Sequence, residues 1–151
     1  MNRRDFNKTL VLLTGVSAGA ALSAIPLKAL AAWPADAFDA ESMDAAATAL
    51  YGSADAESSD AITIEGPDIA ENGAVVPISI STTLPNVDSI ALMAANNPSP
   101  LVATFDGGAT AASTRIKMGK SSPLVGYVRS DGKLYTATSK EIKVTIGGCG
   151  G

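Results

Sequence analysis

The sequence predicts an all-β fold, an immunoglobulin-like β-sandwich with a short N-terminal helix and a C-terminal Gly-Gly-Cys-Gly-Gly arm. Three observations carry this. From Ile62 to Ile146, short runs rich in β-branched residues alternate apolar and polar positions at period two. Gly, Pro, Asn and Asp break those runs at short intervals, which is the chemistry of turns. The runs fill a stretch of about a hundred residues, the usual size of a two-sheet sandwich. The whole chain, at 151 residues, allows one domain with a real core and little room for a second. No internal repeat appears.

Residues 1–31 read as an address rather than as part of the fold. Arg3 and Arg4 are followed by Phe6 and Lys8, then by a moderately apolar stretch from Leu10 to Ile25 and the small-residue site Ala29-Leu30-Ala31. This is the pattern of a twin-arginine signal peptide with cleavage near Ala31 or Ala32. A retained membrane anchor fits less well, because Pro26 and Lys28 end the run short of the ~20 apolar residues a spanning helix needs. The expected mature protein is periplasmic and unanchored.

The domain is expected over 32–146. Its first segment, Trp33 to Gly52, is rich in strong helix formers and ends on glycine, so it predicts one short helix. Ser53–Asp60 reads as a polar connector. The strands follow as the runs at 61–66, 74–82, 87–95, 101–105, 113–119, 124–130, 133–139 and 142–146. Asp131-Gly132 is a two-residue hairpin signal between the sixth and seventh runs. Pro77 lacks a ladder donor, so its run is expected at a sheet edge or at a bulge. In the last run Ile142, Val144 and Ile146 share one face, which predicts core anchorage up to Ile146. Beyond it Gly147, Gly148, Gly150 and Gly151 flank Cys149 with backbone of high conformational entropy, so 147–151 reads as a flexible arm. Five extended residues span at most about 16–18 Å. A chain without side chains is also narrow enough to thread a channel.

Composition excludes several classes of chemistry. There is no histidine and only one cysteine. Ser-His-Asp and Cys-His catalysis therefore lack their base, and a zinc site lacks its usual ligands. The methionines show no soft-metal spacing. No cofactor or metal is expected. Without the leader the chain keeps seven bases, all from Arg115 onward, and fourteen acids, twelve of them before it. An acidic chain is a poor nucleic-acid partner. Its basic C-terminal third suits an anionic substrate or an acidic surface. Arg115 and Lys117 flank Ile116 and share a strand face, a docking pair unless they are simply solvated. The thiol at Cys149 has no visible activating base, so it is better placed to be worked on by other proteins than to catalyse alone. The competing reading is a structural β-module whose terminal cysteine forms an intermolecular disulfide.

The residues that decide between these are the terminal Ile-Gly-Gly-Cys-Gly-Gly on a β-domain, behind a twin-arginine leader. Together with "ENGAVVPISIST", "STRIKMG", "DAFDAES" and "DGKLYTATSKEIKVTIGGCGG", they resemble the SoxY family, the sulfur-carrier subunits of the thiosulfate-oxidising Sox system. The compact Phe105–Arg115 segment is a departure from that pattern. The resemblance implies a non-catalytic, cofactor-free carrier that holds thiosulfate-derived S-thiosulfonate and sulfane sulfur on Cys149. It also implies partners: a SoxZ-like β-sandwich subunit, a c-type cytochrome that loads thiosulfate, a sulfate-releasing hydrolase, and a sulfane dehydrogenase. Export of this chain together with a leaderless SoxZ-like partner is a further expectation.

Overall fold

The computed structural model describes residues 33–147. The leader predicted for 1–31 lies outside the described residues, as do Gly148, Cys149, Gly150 and Gly151.

Two helices replace the single one expected: α1 (Ala35–Phe38) and α2 (Met43–Tyr51). The interruption has a local cause at Ser42, whose extended backbone breaks the helix and whose Oγ accepts the Ala45 N–H at 3.2 Å, starting a new one. Gly52, at φ 81°, ends α2 as its position suggested.

Among the described residues nine strands follow: β1 (Glu57–Ser58), β2 (Ile62–Glu65), β3 (Ile69–Asn72), β4 (Val76–Thr82), β5 (Val87–Ala94), β6 (Leu101–Asp106), β7 (Ala111–Ile116), β8 (Ser122–Ser130) and β9 (Lys133–Ile146). The larger sheet runs β1-β9-β8-β5-β6, with β3 also on β9, and the smaller runs β2-β4-β7. Ile62, Ile78, Ile80 and Ile116 from the smaller sheet meet Ile90, Leu92, Leu124, Val128 and Ile142 from the larger one, which makes the inter-sheet core. A second cluster lies on the opposite face of the larger sheet, where Ala37, Ala46 and Ala47 of the helices cover Ala91, Met93, Val125 and Tyr127. Strand β5 is therefore buried on both faces, which explains its unbroken apolar run Ile90–Ala94.

The hairpin at Asp131-Gly132 forms as expected, with both residues at positive φ (49° and 75°) and Ser130 paired with Lys133. Other details differ from the sequence reading. The connector contains β1, and β3 was not foreseen; both pair with β9 in parallel, so the sheet is not purely antiparallel. The runs 133–139 and 142–146 are one strand of 14 residues. Strand β4 is central rather than at an edge. It tolerates Pro77 because the last β2 rung is Glu65–Ser79, so β4 has only β7 beside it at Pro77.

Candidate functional site

Attention falls on the end of β9, from which the sequence continues to Cys149. Its last rung with β8 is Ser122–Ile142, so Lys143 to Ile146 overrun that neighbour. Strand β3 takes over along the other edge, pairing Ile69 with Lys143, Ala70 with Val144 and Asn72 with Ile146. The Lys143 N–H donates to the Asp68 carbonyl at 3.0 Å, and the Gly73 N–H donates to the Ile146 carbonyl at 2.7 Å.

Core anchorage stops earlier than the alternation predicts. Ile142 is 4% exposed, Val144 half-buried and Ile146 68% exposed. The three share a face, but the opposite sheet no longer covers it at Ile146. The end of β9 is thus held by backbone pairing rather than by side-chain burial.

On the side that β8 leaves free, the loop joining β7 to β8 closes in. Ser121 Oγ accepts the Val144 N–H at 2.9 Å. Met118 is fully buried, and its N–H donates to the Gly73 carbonyl at 2.7 Å. The Gly119 N–H donates to Asn97 Oδ1 at 2.9 Å, while Asn97 Nδ2 donates to the Lys117 carbonyl at 2.8 Å. Gly147 passes the backbone of Gly119 so closely that a Cβ on it would collide with the Gly119 carbonyl oxygen. Glycine is required there by close approach of two backbones, a reason the sequence alone does not reveal.

Of the residues singled out from the sequence, Gly147 is described, whereas Cys149, Gly148, Gly150 and Gly151 lie outside the described residues. Arg115 and Lys117 are both exposed, alternating with buried Ile116 and Met118. Arg115 sits opposite Pro77 along an open groove of about 830 Å³ that Glu65 and Ser79 also line. Lys117 lies in the loop at the root of the terminal segment, through its backbone. The residues that build this root, Gly73, Asn97, Gly119 and Ser121, were not anticipated. Asn96-Asn97-Pro98 has the chemistry of a turn, and a turn motif does not name what its side chains will bind.

The groups whose acidity is perturbed lie where the helices meet the larger sheet. Burial pushes the Tyr51 phenol up to about 12, partly offset by Ser89 and Arg129. Burial also raises Tyr127. Arg129 lies over the Tyr51 ring, 4.9 Å from its centre, and donates to the Tyr51 carbonyl at 2.9 Å, which fastens α2 to the sheet. Among the described residues no cluster of His, Cys, Asp or Glu could hold a metal, and no helix is long and apolar enough to cross a membrane.

Fold and sequence together define the class: a small immunoglobulin-like sandwich whose final strand overruns its sheet and leads, three residues past Ile146, to the chain's sole cysteine. Comparison gives the family. The model of the sulfur oxidation protein SoxY matches residues 47–149. This chain belongs to the SoxY family. It is 42% identical to the solved structure of the sulfur carrier protein SoxY from Chlorobium limicola f thiosulfatophilum, with a TM-score of 0.61 over 68% of this chain and 96% of that one. A superoxide reductase (neelaredoxin) from Ignicoccus hospitalis is 20% identical over 55% of this chain and 79% of its own, at a TM-score of 0.48. No curated protein matches the sequence.

Proposed function

We propose that this protein is a periplasmic sulfur carrier of thiosulfate oxidation, holding its cargo covalently on Cys149. The observation that carries the reading is the extent of the family match, which runs from α2 through the sandwich and ends on Cys149 itself. Identity of 42% to a sulfur carrier protein supports the same role.

The chemistry asks little of the carrier beyond an accessible sulfur. Loading joins the Cys149 thiol to the sulfane sulfur of thiosulfate as an S–S bond, releasing one proton and two electrons, which a c-type cytochrome partner accepts. Hydrolysis by a second partner adds water across the S–SO3 bond, leaving a sulfane sulfur on Cys149 and releasing sulfate and a proton. The sulfane sulfur left on Cys149 is the substrate for a later oxidation or transfer by another partner. None of these steps needs a base, metal or cofactor on the carrier, in keeping with the absence of histidine. The chain is accordingly a non-catalytic subunit that works with a SoxZ-like β-sandwich partner, and the glycines on both sides of Cys149 serve as a narrow, flexible arm. Arg3 and Arg4 direct its export by the twin-arginine route.

The test is intact and C-terminal-peptide mass spectrometry of the protein from cells growing on thiosulfate, with and without reductant. Reducible thiosulfonate or sulfane adducts on Cys149 are expected. A bare thiol, or only a disulfide dimer, would refute the carrier role and favour a structural one.

A further inference from the structure

We infer that Asn97 is a positioning residue for the carried cysteine, acting through the loop 117–121 on Gly147; this rests on the carrier reading of Cys149. One planar amide offers a donor and an acceptor together, and Asn97 uses both on the same loop, toward the Lys117 carbonyl and the Gly119 N–H. Asn96 adds a second clamp from the same turn, with its Nδ2 donating to the Ser121 carbonyl at 2.7 Å. The loop is pinned from its other side by buried Met118, whose N–H donates to Gly73. It has no regular structure of its own, so these contacts fix where the Gly119 backbone stands.

That backbone sets the root of the arm in two ways. Gly147 passes it at a separation only a glycine allows. Ser121 Oγ, two residues on, accepts from the Val144 N–H and ties the overrunning end of β9 to the same loop. The side chain of Ile146, being mostly exposed, contributes little to this anchorage. With the socket intact, Cys149 is two residues from a fixed point, a reach of about 7 Å for extended chain. If Gly147 leaves the loop, the Gly73 N–H still holds the Ile146 carbonyl, so Cys149 is three residues from its anchor, a reach of about 10 Å, and the direction of the chain beyond Ile146 is no longer set by Gly119. The socket therefore sets the direction in which the chain leaves β9, toward the loop 117–121 rather than toward β3.

Because Cys149 is the only cysteine, a nitroxide attached to it reports on the arm alone. In the isotope-labelled wild-type protein, paramagnetic broadening of amides is expected to concentrate on residues 73–75, 95–98 and 117–121. In Asn97→Ala, and separately in Gly147→Ala, broadening at 95–98 and 117–121 is expected to fall and that along β3 to rise. Thr136→Val removes a comparable hydrogen bond elsewhere on β9, from Thr136 Oγ1 to the Gly126 carbonyl at 3.0 Å, and should leave the wild-type pattern. An unchanged footprint in Asn97→Ala and Gly147→Ala overturns the inference, as does an equal change in Thr136→Val. The label needs no cargo, so this result and the adduct measurement fail independently.

Discussion

Replacing Ile142 or Ile146 by alanine removes the same atoms from the same face of the same strand, yet the two variants should differ several-fold in cost. Ile142 is 4% exposed and belongs to the inter-sheet core. Truncating such a side chain costs about 2–5 kcal/mol, the larger values arising where the cavity cannot collapse. Here one neighbour is Gly66, whose Cβ, if present, would lie 3.0 Å from Ile142 Cδ1; glycine has no side chain to fill the space. An Ile142→Ala cost of about 3–4 kcal/mol follows. At about 4 °C per kcal/mol for a domain of this size, the melting temperature should fall by roughly 12–16 °C. Ile146 is 68% exposed, so only about a third of the ~1.5–3 kcal/mol available from full burial is at stake, or about 0.5–1 kcal/mol. The assay is urea and thermal unfolding of both variants followed by circular dichroism. Equal losses would mean that β9 is anchored in the core to its last residue, and the distinction between side-chain and backbone anchorage would be wrong.

Three other expectations follow from the same structure. Cys149→Ser should abolish the reducible adduct while leaving stability within about 0.5 kcal/mol of wild type, because the substitution lies beyond the core strands; a larger loss in urea unfolding would tie the terminus to the fold. Gly126→Ala would place a Cβ 2.7 Å from Ile80 Cδ1 and 3.1 Å from Ile64 Cδ1, so overpacking should cost about 1–3 kcal/mol, and an unchanged urea midpoint would contradict the close inter-sheet packing. The Tyr51 phenol is raised to about 12, chiefly by burial, so the folded state favours its neutral form. That contribution is complete below the ordinary tyrosine value near 10 and is lost as pH rises through about 12, roughly 3 kcal/mol in all. Tyr51→Phe should flatten this alkaline loss in unfolding measured from pH ~9 to ~12, and an unaltered profile would show that Tyr51 does not titrate with unfolding.

Much of the sandwich is legible in the sequence because its strands alternate. Val76, Ile78 and Ile80 on β4 face the core with Pro77, Ser79 and Ser81 between them, and Asp131-Gly132 supplies the positive φ its turn demands. The terminal Gly-Gly-Cys-Gly-Gly is likewise plain. What sequence reading misses is structure made by backbone alone. Strand β3 reads Ile-Ala-Glu-Asn and buries only Ala70, and β1 is two exposed residues; neither has a pattern to detect. Each forms because β9 offers an open edge, a property of the assembled sheet. The merging of two predicted strands into β9 has the same origin. Ser139, which looks like a break, sits where the β8–β9 register shifts, and its Oγ accepts the Leu124 N–H at 2.9 Å. The misjudged burial of Ile146 came from extending an alternation past the point where the facing sheet ends.

This division has a consequence for how a carrier can be built. Backbone pairing is nearly indifferent to side chains, so the last turn of the chain before Cys149 can shed them without losing its hold. The Ile146 carbonyl is held by Gly73, the Val144 amide by Ser121, and Gly147 is seated against Gly119. A core-anchored root would instead require bulky residues up to the cysteine, widening that segment. Backbone anchorage allows the chain to narrow to glycine at the point where the fold ends. On the inference above, it also separates the requirements of stability from those of delivery: substitutions at Ile142 or Gly126 are expected to act on the sandwich, and those at Asn97, Gly119 or Gly147 on where the thiol is presented. Variants of the second group should therefore keep the wild-type unfolding free energy to within about 1 kcal/mol while changing how fast partner proteins, but not small thiol reagents, reach Cys149. Equal slowing of both reactions would place the effect on the thiol itself rather than on its presentation.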